Sequence, residues 1–313
     1  MRHEPRFTRR AVFTTAFAGM VVSACGAVSR RVPAGAPPPS SSQPPLPPLS
    51  PPPPPPPPPN ALATSLLVGY CGAPHAKALG EMTGDLAAAG RRLVGQAGAY
   101  RQAVTPVVEL IATAAHRTPG PDGMYRTRAS DATIAGYLAE ARALKGVLLL
   151  NIQPGRADFL PEVRAYERWL AEPDVGVALD PEWAVEPGVV PGEKFGRTTG
   201  AELDGVAAYL AQRAQDRQLP DKIMAYHQVA ASIVRDEAGL GPHPGVSIVK
   251  VVDGIGSAAA KKATWRTLMA AKPAHVLAGF KLFYEEDTRH GAALMTPSEV
   301  LALTPKPAYV VYE

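Results

Sequence analysis

Short, almost wholly apolar runs recur through residues 61–313, and the segments between them carry apolar side chains at helical spacing. Near-continuous apolar runs are typical of parallel strands that are covered on both faces. The pattern predicts eight strands, at Leu66–Tyr70, Pro106–Ile111, Val147–Ile152, Val175–Leu179, Ile223–His227, Val246–Val252, Gly279–Tyr284 and Tyr309–Tyr312. Strands that alternate with helices indicate an α/β fold with a parallel sheet.

Helical spacing or a capping signal marks six of the intervening segments. They are Leu79–Arg101, Ser130–Lys145, Leu160–Leu170, Gly200–Gln218, Ala258–Ala271 and Thr296–Leu303. The last of them begins with Thr296-Pro297-Ser298-Glu299, a capping signal with proline at the first helical position. A seventh candidate helix is Ala230–Ala238.

The strand count and the length of this region predict the architecture. Residues 61–313 are close to the length of about 250 residues that is typical of a (β/α)8 barrel. The eighth predicted strand ends the chain and can close against the first. We therefore expect one (β/α)8 TIM barrel, whose site residues should stand at the carboxyl ends of the strands.

The first 24 residues have the pattern of a lipoprotein signal peptide. A basic segment, residues 1–10, precedes the short apolar run Ala11–Ala24, which is too short to span a bilayer as a mature helix. Residues 8–13 resemble the twin-arginine export motif, and Val22-Ser23-Ala24-Cys25 resembles a bacterial lipobox, which lipidates the cysteine. We expect an extracytoplasmic protein that Cys25 anchors in the cell membrane. The alternative is an ordinary cleaved signal with an incidental cysteine.

Residues 25–60 form a proline-rich linker that ends in nine consecutive prolines, Pro51–Pro59. Proline at this density favours the extended polyproline II conformation, so the segment is expected to act as a semi-rigid spacer. Beyond Cys25 the chain has one other cysteine, Cys71, so no intramolecular disulfide is expected and the core must supply the stability.

The charge distribution gives no indication of a nucleic-acid partner. The formal net charge is +4, but four of the 32 basic residues and one of the 28 acidic residues lie in the first ten positions. The remainder is therefore close to neutral, unlike the basic surface that binds nucleic acid.

The strongest candidate chemistry stands where the fourth predicted strand ends. Asp180 and Glu182 follow the apolar run Val175–Leu179, and side-chain alternation along a strand predicts that both carboxylates point to the same side. Like charge and partial burial raise the pKa of one carboxyl and leave the other ionised, as acid/base cleavage of a glycosidic bond requires. Trp183 could stack on a sugar ring. The alternative is a capping and salt-bridging role.

Other strand ends supply candidate substrate-binding and acidic groups. Asn151 and Gln153 share a face after the third strand and could bind hydroxyl groups, and Asp253 is either a second acid or a turn-former. Three carboxylates follow the seventh strand, of which Glu285 is the candidate catalytic group, although charge runs are often solvated loops. Further candidate substrate-binding residues are Tyr70, Tyr226, His227, Lys281 and Tyr284. For His227 the alternative is a structural role, which is the commoner role of a lone histidine.

Several other chemistries are not indicated. Gly69–Gly72 lacks the lysine and hydroxyl residue of a phosphate loop, and Asp253–Gly256 lacks the full dinucleotide fingerprint. The histidines form no HExxH pair, and nothing near Cys71 marks an activated thiol. A metal ion held by Asp180, Glu182 and Asp253 stays a minor alternative, and no cofactor is implied.

Four segments resemble an actinobacterial family of secreted proteins and lipoproteins: Val175–Trp183, Tyr166–Leu170, Gly279–Thr288 and Val310–Glu313. The resemblance covers most of residues 65–313 and implies a glycoside-hydrolase-like barrel and an envelope location rather than a reaction.

Two looser resemblances concern the catalytic groups. The Asp180-Pro181-Glu182 strand end is similar to the Asp-x-Glu strand end of the family 25 lysozymes, which implies that Glu182 is the proton donor. The large retaining clan of glycosidase barrels has an acid on strand four and a nucleophile on strand seven, which resembles Glu182 with Glu285 or Glu286. In this chain Pro181 stands where that clan has asparagine.

Three hypotheses for the function follow. The first is a cell-envelope glycoside hydrolase with Glu182 as general acid and Asp180 or a strand-seven carboxylate as nucleophile or base. The second is a non-catalytic glycan-binding lipoprotein on the same barrel, since a fold does not determine a function. The third is a metal-assisted hydrolase that acts on an ester or amide.

Overall fold

A computed structural model describes residues 61–313. The predicted signal peptide, the lipidation site Cys25 and the proline-rich linker lie outside the described residues.

Eight parallel strands close into a barrel, as the apolar pattern predicts. Each strand pairs with the next along the chain, and the eighth pairs with the first. The strands are β1 Leu66–Gly72, β2 Val104–Ala115, β3 Val147–Ile152, β4 Val175–Leu179, β5 Lys222–Gln228, β6 Val246–Val252, β7 Leu277–Leu282 and β8 Tyr309–Tyr312. A short strand, Arg126–Arg128, folds back antiparallel on the end of β2.

One short helix precedes β1, and the other helices lie between the strands. The helices are α1 Ala61–Thr64, α2 Leu86–Gly98, α3 Asp131–Ala143, α4 Phe159–Arg164, α5 Glu167–Leu170, α6 Gly200–Asp216, α7 Ala258–Met269 and α8 Pro297–Leu301. Within the described part of the chain, no helix is long and apolar enough to span a membrane.

Three helix predictions need correction. The predicted helix Leu79–Arg101 begins at Leu86, because the Asp85 side chain caps it by accepting a 3.0 Å hydrogen bond from the Ala88 amide. The predicted helix Leu160–Leu170 is divided into α4 and α5, and at the break Tyr166 donates a hydrogen bond to the Ala112 carbonyl of β2.

The third correction concerns Ala230–Ala238, which is not a helix. Its residues Val234–Arg235 form a short strand that pairs with Thr198–Thr199, and a single 3-10 turn follows at Glu237–Gly239. Asp236, between them, has a left-handed φ of 47°, which no continuous helix accommodates.

Alternate side chains of each strand divide between two apolar layers. The outer layer packs strand residues against the helices, for example Val68 and Leu148 with Leu93 and Leu138. The inner layer fills the barrel with side chains from all the strands except β7, including Leu67, Val107, Leu149, Ala178, Ala225, Val251 and Val311. On β7 the inner position is Gly279, where an added Cβ would lie 2.9 Å from a methyl group of Val251. A packed interior of this kind leaves the carboxyl ends of the strands as the place for a site.

Candidate active site

A ring of polar side chains covers the apolar interior at the carboxyl ends of the strands. Each member stands two positions after an inner-layer residue and so points to the same interior. The ring consists of Glu109, Asn151, Asp180, His227, Asp253, Lys281 and Glu313. All seven side chains are buried or nearly so. Charged groups that are buried this close together must neutralise one another, because each is costly to remove from water alone.

His227 is the centre of this ring. Its Nδ1 atom lies 3.0 Å from each carboxylate oxygen of Asp253 and 4.0 Å from Oδ1 of Asp180. Its Nε2 atom lies 3.2 Å from Oε1 of Glu109, close enough for an ion pair although the geometry is outside hydrogen-bond range. Burial alone would lower the pKa of His227, but the charges of Asp253, Glu109 and Asp180 outweigh it and raise that pKa well above its usual value.

Glu109 is ionised deep in the barrel. It accepts hydrogen bonds from the Tyr309 hydroxyl at 2.7 Å and from the Asn151 amide at 2.9 Å. Burial opposes ionisation, but the charges of His227 and Lys281 and these hydrogen bonds lower the pKa of Glu109 to about 2.

Lys281 is the second buried cation. Its ammonium lies 2.7 Å from the Glu313 carboxylate and 3.5 Å from that of Asp253. Although burial would lower the pKa of Lys281, these anions raise it well above its usual value. His227 and Lys281 in turn overcome the burial of Asp253 and lower its pKa. Lys281 therefore lies within the ion-pair network, and the predicted role in binding substrate stays a prediction.

Asp180 belongs to the same network but has fewer hydrogen-bond partners than Glu109. Its Oδ2 atom accepts a 3.1 Å hydrogen bond from Gln153, whose own oxygen accepts from the Ala115 amide. Its Oδ1 atom is buried and has no hydrogen-bond partner among the described residues. Burial raises the pKa of Asp180 above its usual value, and attraction to His227 and Lys281 offsets that effect only in part.

Glu182 is a second buried carboxyl group with a raised pKa. It lies in a 3-10 turn, Pro181–Trp183, rather than in β4, so strand alternation does not extend to it. Burial, with the nearby charges of Asp180 and Asp253, raises its pKa to about 8. Its Oε2 atom is buried without a hydrogen-bond partner among the described residues. Glu182 is therefore protonated at neutral pH, whereas the charges of His227 and Lys281 favour the ionised form of Asp180.

Glu182 also borders a small open depression. The other lining residues are Trp183, Gly192, Lys194 and Phe195. Gly192, Lys194 and Phe195 come from the loop that connects β4 to α6. The Gly196 amide donates a hydrogen bond to the Glu182 carbonyl, and the Arg197 amide donates to the Ala184 carbonyl, so this loop is tied to the turn that carries the acid.

The structure places several predicted site residues away from the ring. Tyr70 and Tyr284 point to the helix layer, where their hydroxyls are 3.2 Å apart and the Tyr284 hydroxyl donates to Gln96 of α2. Tyr226 also faces outward and donates a 2.5 Å hydrogen bond to Glu237. Glu285 is exposed in the loop after β7. These positions do not favour direct roles at the carboxyl-end cavity.

Sequence reasoning missed three members of the network: Glu109, Tyr309 and Glu313. Glu109 was counted only as part of an apolar strand, yet a lone carboxylate in an apolar run is itself a signal. Tyr309 and Glu313 belong to β8 and the residue after it, where the pattern gave no indication of polar contacts across the barrel.

Neither a metal site nor a thiol nucleophile finds support in residues 61–313. No group of three or more histidine, cysteine, aspartate or glutamate side chains in this part of the chain could hold a metal ion. Cys71 is buried, and burial raises the pKa of its thiol well above its usual value, so the reactive thiolate is disfavoured.

Comparison with known proteins adds little to this picture. No family model matches the chain, and no curated protein matches it. One solved structure similar to this chain is a GH18 chitinase from Pseudoalteromonas aurantia, at 13% sequence identity and a TM-score of 0.36, over 79% of this chain and 93% of that one. The strand order and the buried ring themselves define the class: a (β/α)8 barrel with ionisable groups gathered at the carboxyl ends of its strands.

Proposed function

We propose that this barrel is a glycoside hydrolase that acts on a polysaccharide of the cell envelope, with Glu182 as its general acid. The observation that carries the proposal is a buried carboxyl group that is protonated at neutral pH. Near it lie a second carboxyl group, whose ionised form two cations favour, and an opening lined in part by aromatic rings. Two carboxyl groups with separated pKa values are what glycosidic cleavage uses.

In this mechanism Glu182 donates its proton to the glycosidic oxygen as the bond to the anomeric carbon breaks. Positive charge develops on the sugar ring, and Asp180 stabilises it. Asp180 then either attacks the anomeric carbon as a nucleophile or removes a proton from an attacking water molecule. Trp183 and Phe195 give the apolar face of a sugar ring a surface on which to stack.

Glu285 is the less favoured partner for Glu182. It is exposed, and it is not part of the ion-pair network around Asp180. The nearby Asp287 is occupied structurally, since it forms a 2.8 Å ion pair with Lys261 and accepts hydrogen bonds from the Gly256 and Phe283 amides.

The leader and the linker are the reasons for proposing an envelope location. Lipidation at Cys25 would anchor the chain in the membrane, and residues 25–60 would hold the barrel away from the bilayer, within reach of cell-wall glycans. The partners proposed are therefore a glycan and the membrane.

The test uses a soluble form that lacks residues 1–25, incubated with peptidoglycan and other purified wall glycans. Wild-type protein should release reducing ends, and Glu182→Gln should reduce that release at least about a hundredfold. Glu285→Gln is the matched control, since it makes the same change at an exposed carboxylate and should retain activity. Loss of activity in Glu285→Gln alone would move the chemistry to the loop after β7.

A non-catalytic glycan-binding lipoprotein is the second candidate. It is favoured by the surface at Glu182, which is a small open depression lined by five residues rather than the enclosed cleft usual for ligand pockets. In that case neither wild type nor Glu182→Gln releases reducing ends, while both bind the same glycan with similar affinity. A metal-assisted hydrolase would instead lose its activity on chelation.

A further inference from the structure

We propose that His227 is a permanently charged imidazolium that keeps Asp180 ionised, and that it is a positioning residue rather than a substrate-binding one. The catalytic consequence rests on the proposed function, whereas the charge of the ring and its effect on Asp180 do not.

The contacts of the two ring nitrogens carry the inference. Nδ1 faces both oxygens of Asp253 at 3.0 Å, and Nε2 faces an oxygen of Glu109 at 3.2 Å. An ionised carboxylate can accept a hydrogen bond but cannot donate one. A neutral imidazole has one nitrogen without a hydrogen. At Nδ1 its lone pair would replace the hydrogen bonds to Asp253, and at Nε2 it would lie 3.2 Å from a Glu109 oxygen with no attraction between them. Both nitrogens must therefore carry hydrogens, which makes the ring a cation.

The two carboxylates have other donors that hold them ionised. Glu109 accepts from Tyr309 and Asn151, and Asp253 lies beside the Lys281 ammonium. A proton shared between His227 and either carboxylate would weaken these contacts. The ionised carboxylates Glu109 and Asp253, one near each ring nitrogen, thus both stabilise the charged form of His227.

The other seven barrel strands each contribute a polar group to the interior that holds this ring. The ionisable groups near it in the interior are Cys71 of β1, Glu109 of β2, Asp180 after β4, the protonated Glu182 of the turn that follows, Asp253 after β6, Lys281 of β7, and Tyr309 and Glu313 of β8 and its end; the neutral Asn151 comes from β3. Among these described groups, the cations are His227 and Lys281. Without His227, the four carboxylates Glu109, Asp180, Asp253 and Glu313 would have, among these groups, only Lys281 as their counter-ion.

The location of the ring favours a positioning role over the predicted role in binding substrate. The His227 side chain has no exposed surface, and its nitrogens face carboxylates rather than the opening. It therefore acts through Asp180, whose Oδ1 lies 4.0 Å from Nδ1. Because an adjacent cation favours the ionised form of a carboxyl group, His227 allows Asp180 to be an anion while Glu182 keeps its proton.

The first experiment measures the charge of the ring in wild-type protein. Nitrogen-15 NMR of histidine-labelled protein, again without residues 1–25, distinguishes imidazolium from neutral imidazole at both ring nitrogens. One imidazole should remain doubly protonated up to pH 8.5, and Asp253→Asn should lower the pH at which that signal titrates. If all the imidazoles are neutral at pH 8.5, the proposal is overturned. No variant has to fold for this result.

The second experiment follows the Asp180 carboxyl carbon by carbon-13 NMR as the pH is changed. In His227→Gln the midpoint should move upward by about 1–3 pH units, the effect of an opposite charge at this distance. His243→Gln is the matched control, because it removes a partly exposed histidine that pairs with Asp204 instead. An unchanged Asp180 midpoint in a folded His227→Gln protein would refute the proposal.

These readouts remain informative if the chain hydrolyses no glycan. In that case the proposed function fails, while the NMR titrations still decide whether His227 is charged and whether it acts on Asp180. If the wild type is active, His227→Gln should also move the acidic limb of the kcat/KM profile on peptidoglycan upward, which loss of structure alone would not do.

Discussion

The Tyr309 hydroxyl reaches across Gly69 to donate a 2.7 Å hydrogen bond to Glu109. Tyr309 is on β8 and Glu109 is on β2, with β1 between them. The inner-layer position of β1 between Leu67 and Cys71 is Gly69, and the missing side chain leaves room for the phenol. A glycine inside an apolar strand thus explains how a buried carboxylate two strands away obtains its donor.

Gly69→Ala should therefore destabilise the barrel. The added Cβ would lie 2.8 Å from the Tyr309 hydroxyl and 3.0 Å from Cβ and the carbonyl oxygen of Val107. We expect a loss of about 1–3 kcal/mol in the free energy of unfolding, measured with urea. Gly136→Ala is the control, because Gly136 lies exposed in α3 with open space around it and alanine there should stabilise by about 0.5–1 kcal/mol. Equal changes in the free energy of unfolding at both positions would show that the Tyr309 hydroxyl does not pass over Gly69.

Activity should fall as the pH rises through about 8. Glu182 has its pKa raised to about 8 by burial and by the charges of Asp180 and Asp253, so the proton-donating form dominates below that pH and is lost above it. The measurement is a pH profile of reducing-end release from pH 5 to pH 10, with the loss approaching tenfold per pH unit on the alkaline side. A profile that is flat to pH 10 would assign the acid to another group.

Glu182→Gln should raise stability at alkaline pH while it abolishes turnover. A carboxyl group whose pKa rises from 4.5 unfolded to about 8 folded binds its proton more tightly in the folded state. Its contribution is therefore favourable at low pH and is lost as the pH rises from 4.5 to 8. The neutral glutamine avoids this loss, and Tm at pH 9 should rise by about 2–4 °C for each kcal/mol recovered.

At pH 4 the two proteins should differ much less, because Glu182 is then protonated in both states. Thermal unfolding at the two pH values provides the comparison. A variant that is less stable than wild type at pH 9 would show that the Glu182 carboxylate has a stabilising partner in the folded protein.

Lys281→Met should be strongly destabilising, because it leaves Glu313 and Asp253 with less counter-charge in the interior. Breaking a buried ion pair by removal of one partner costs about 3–5 kcal/mol. Lys262→Met is the matched control, since Lys262 is partly exposed and lies 3.8 Å from Glu299. An exposed pair contributes up to about 1 kcal/mol, so urea unfolding should separate the two variants clearly.

Trp183→Ala and Phe195→Ala should weaken glycan binding. Both rings line the depression at Glu182, and Phe195 is 38% exposed. We expect KM on wall glycans to rise about two- to tenfold for each variant, with a smaller change in kcat. Val94→Ala removes a half-exposed apolar side chain on α2 and should leave KM unchanged. A KM that does not respond to either aromatic residue would place the glycan elsewhere.

Much of the barrel follows from local pattern. The bounds of β3, β4, β6 and β8 agree with the predicted ones, since a strand covered on both faces must be apolar along its whole length. Helix ends were harder to predict, because they depend on single contacts such as the Asp85 cap and the anchoring of Tyr166 to β2.

The candidate site was predictable in part. Asp180, Glu182 and Asp253 were identified because carboxylates directly after apolar strands stand out. The outward direction of Tyr70, Tyr226 and Tyr284 follows from which alternate positions of each strand face the helices. Apolar residues occupy both faces of the strands, so composition does not distinguish the inner face from the outer one.

The sequence by itself determined that this chain builds eight strands with polar residues at their carboxyl ends, because local hydrophobic periodicity encodes secondary structure. The tertiary structure alone decided which of those residues meet. Glu109 and Tyr309 are 200 positions apart in the chain, yet they share a hydrogen bond. Closure of the barrel brings such distant groups into one low-dielectric interior, and there mutual neutralisation rather than residue type decides which carboxyl group keeps its proton.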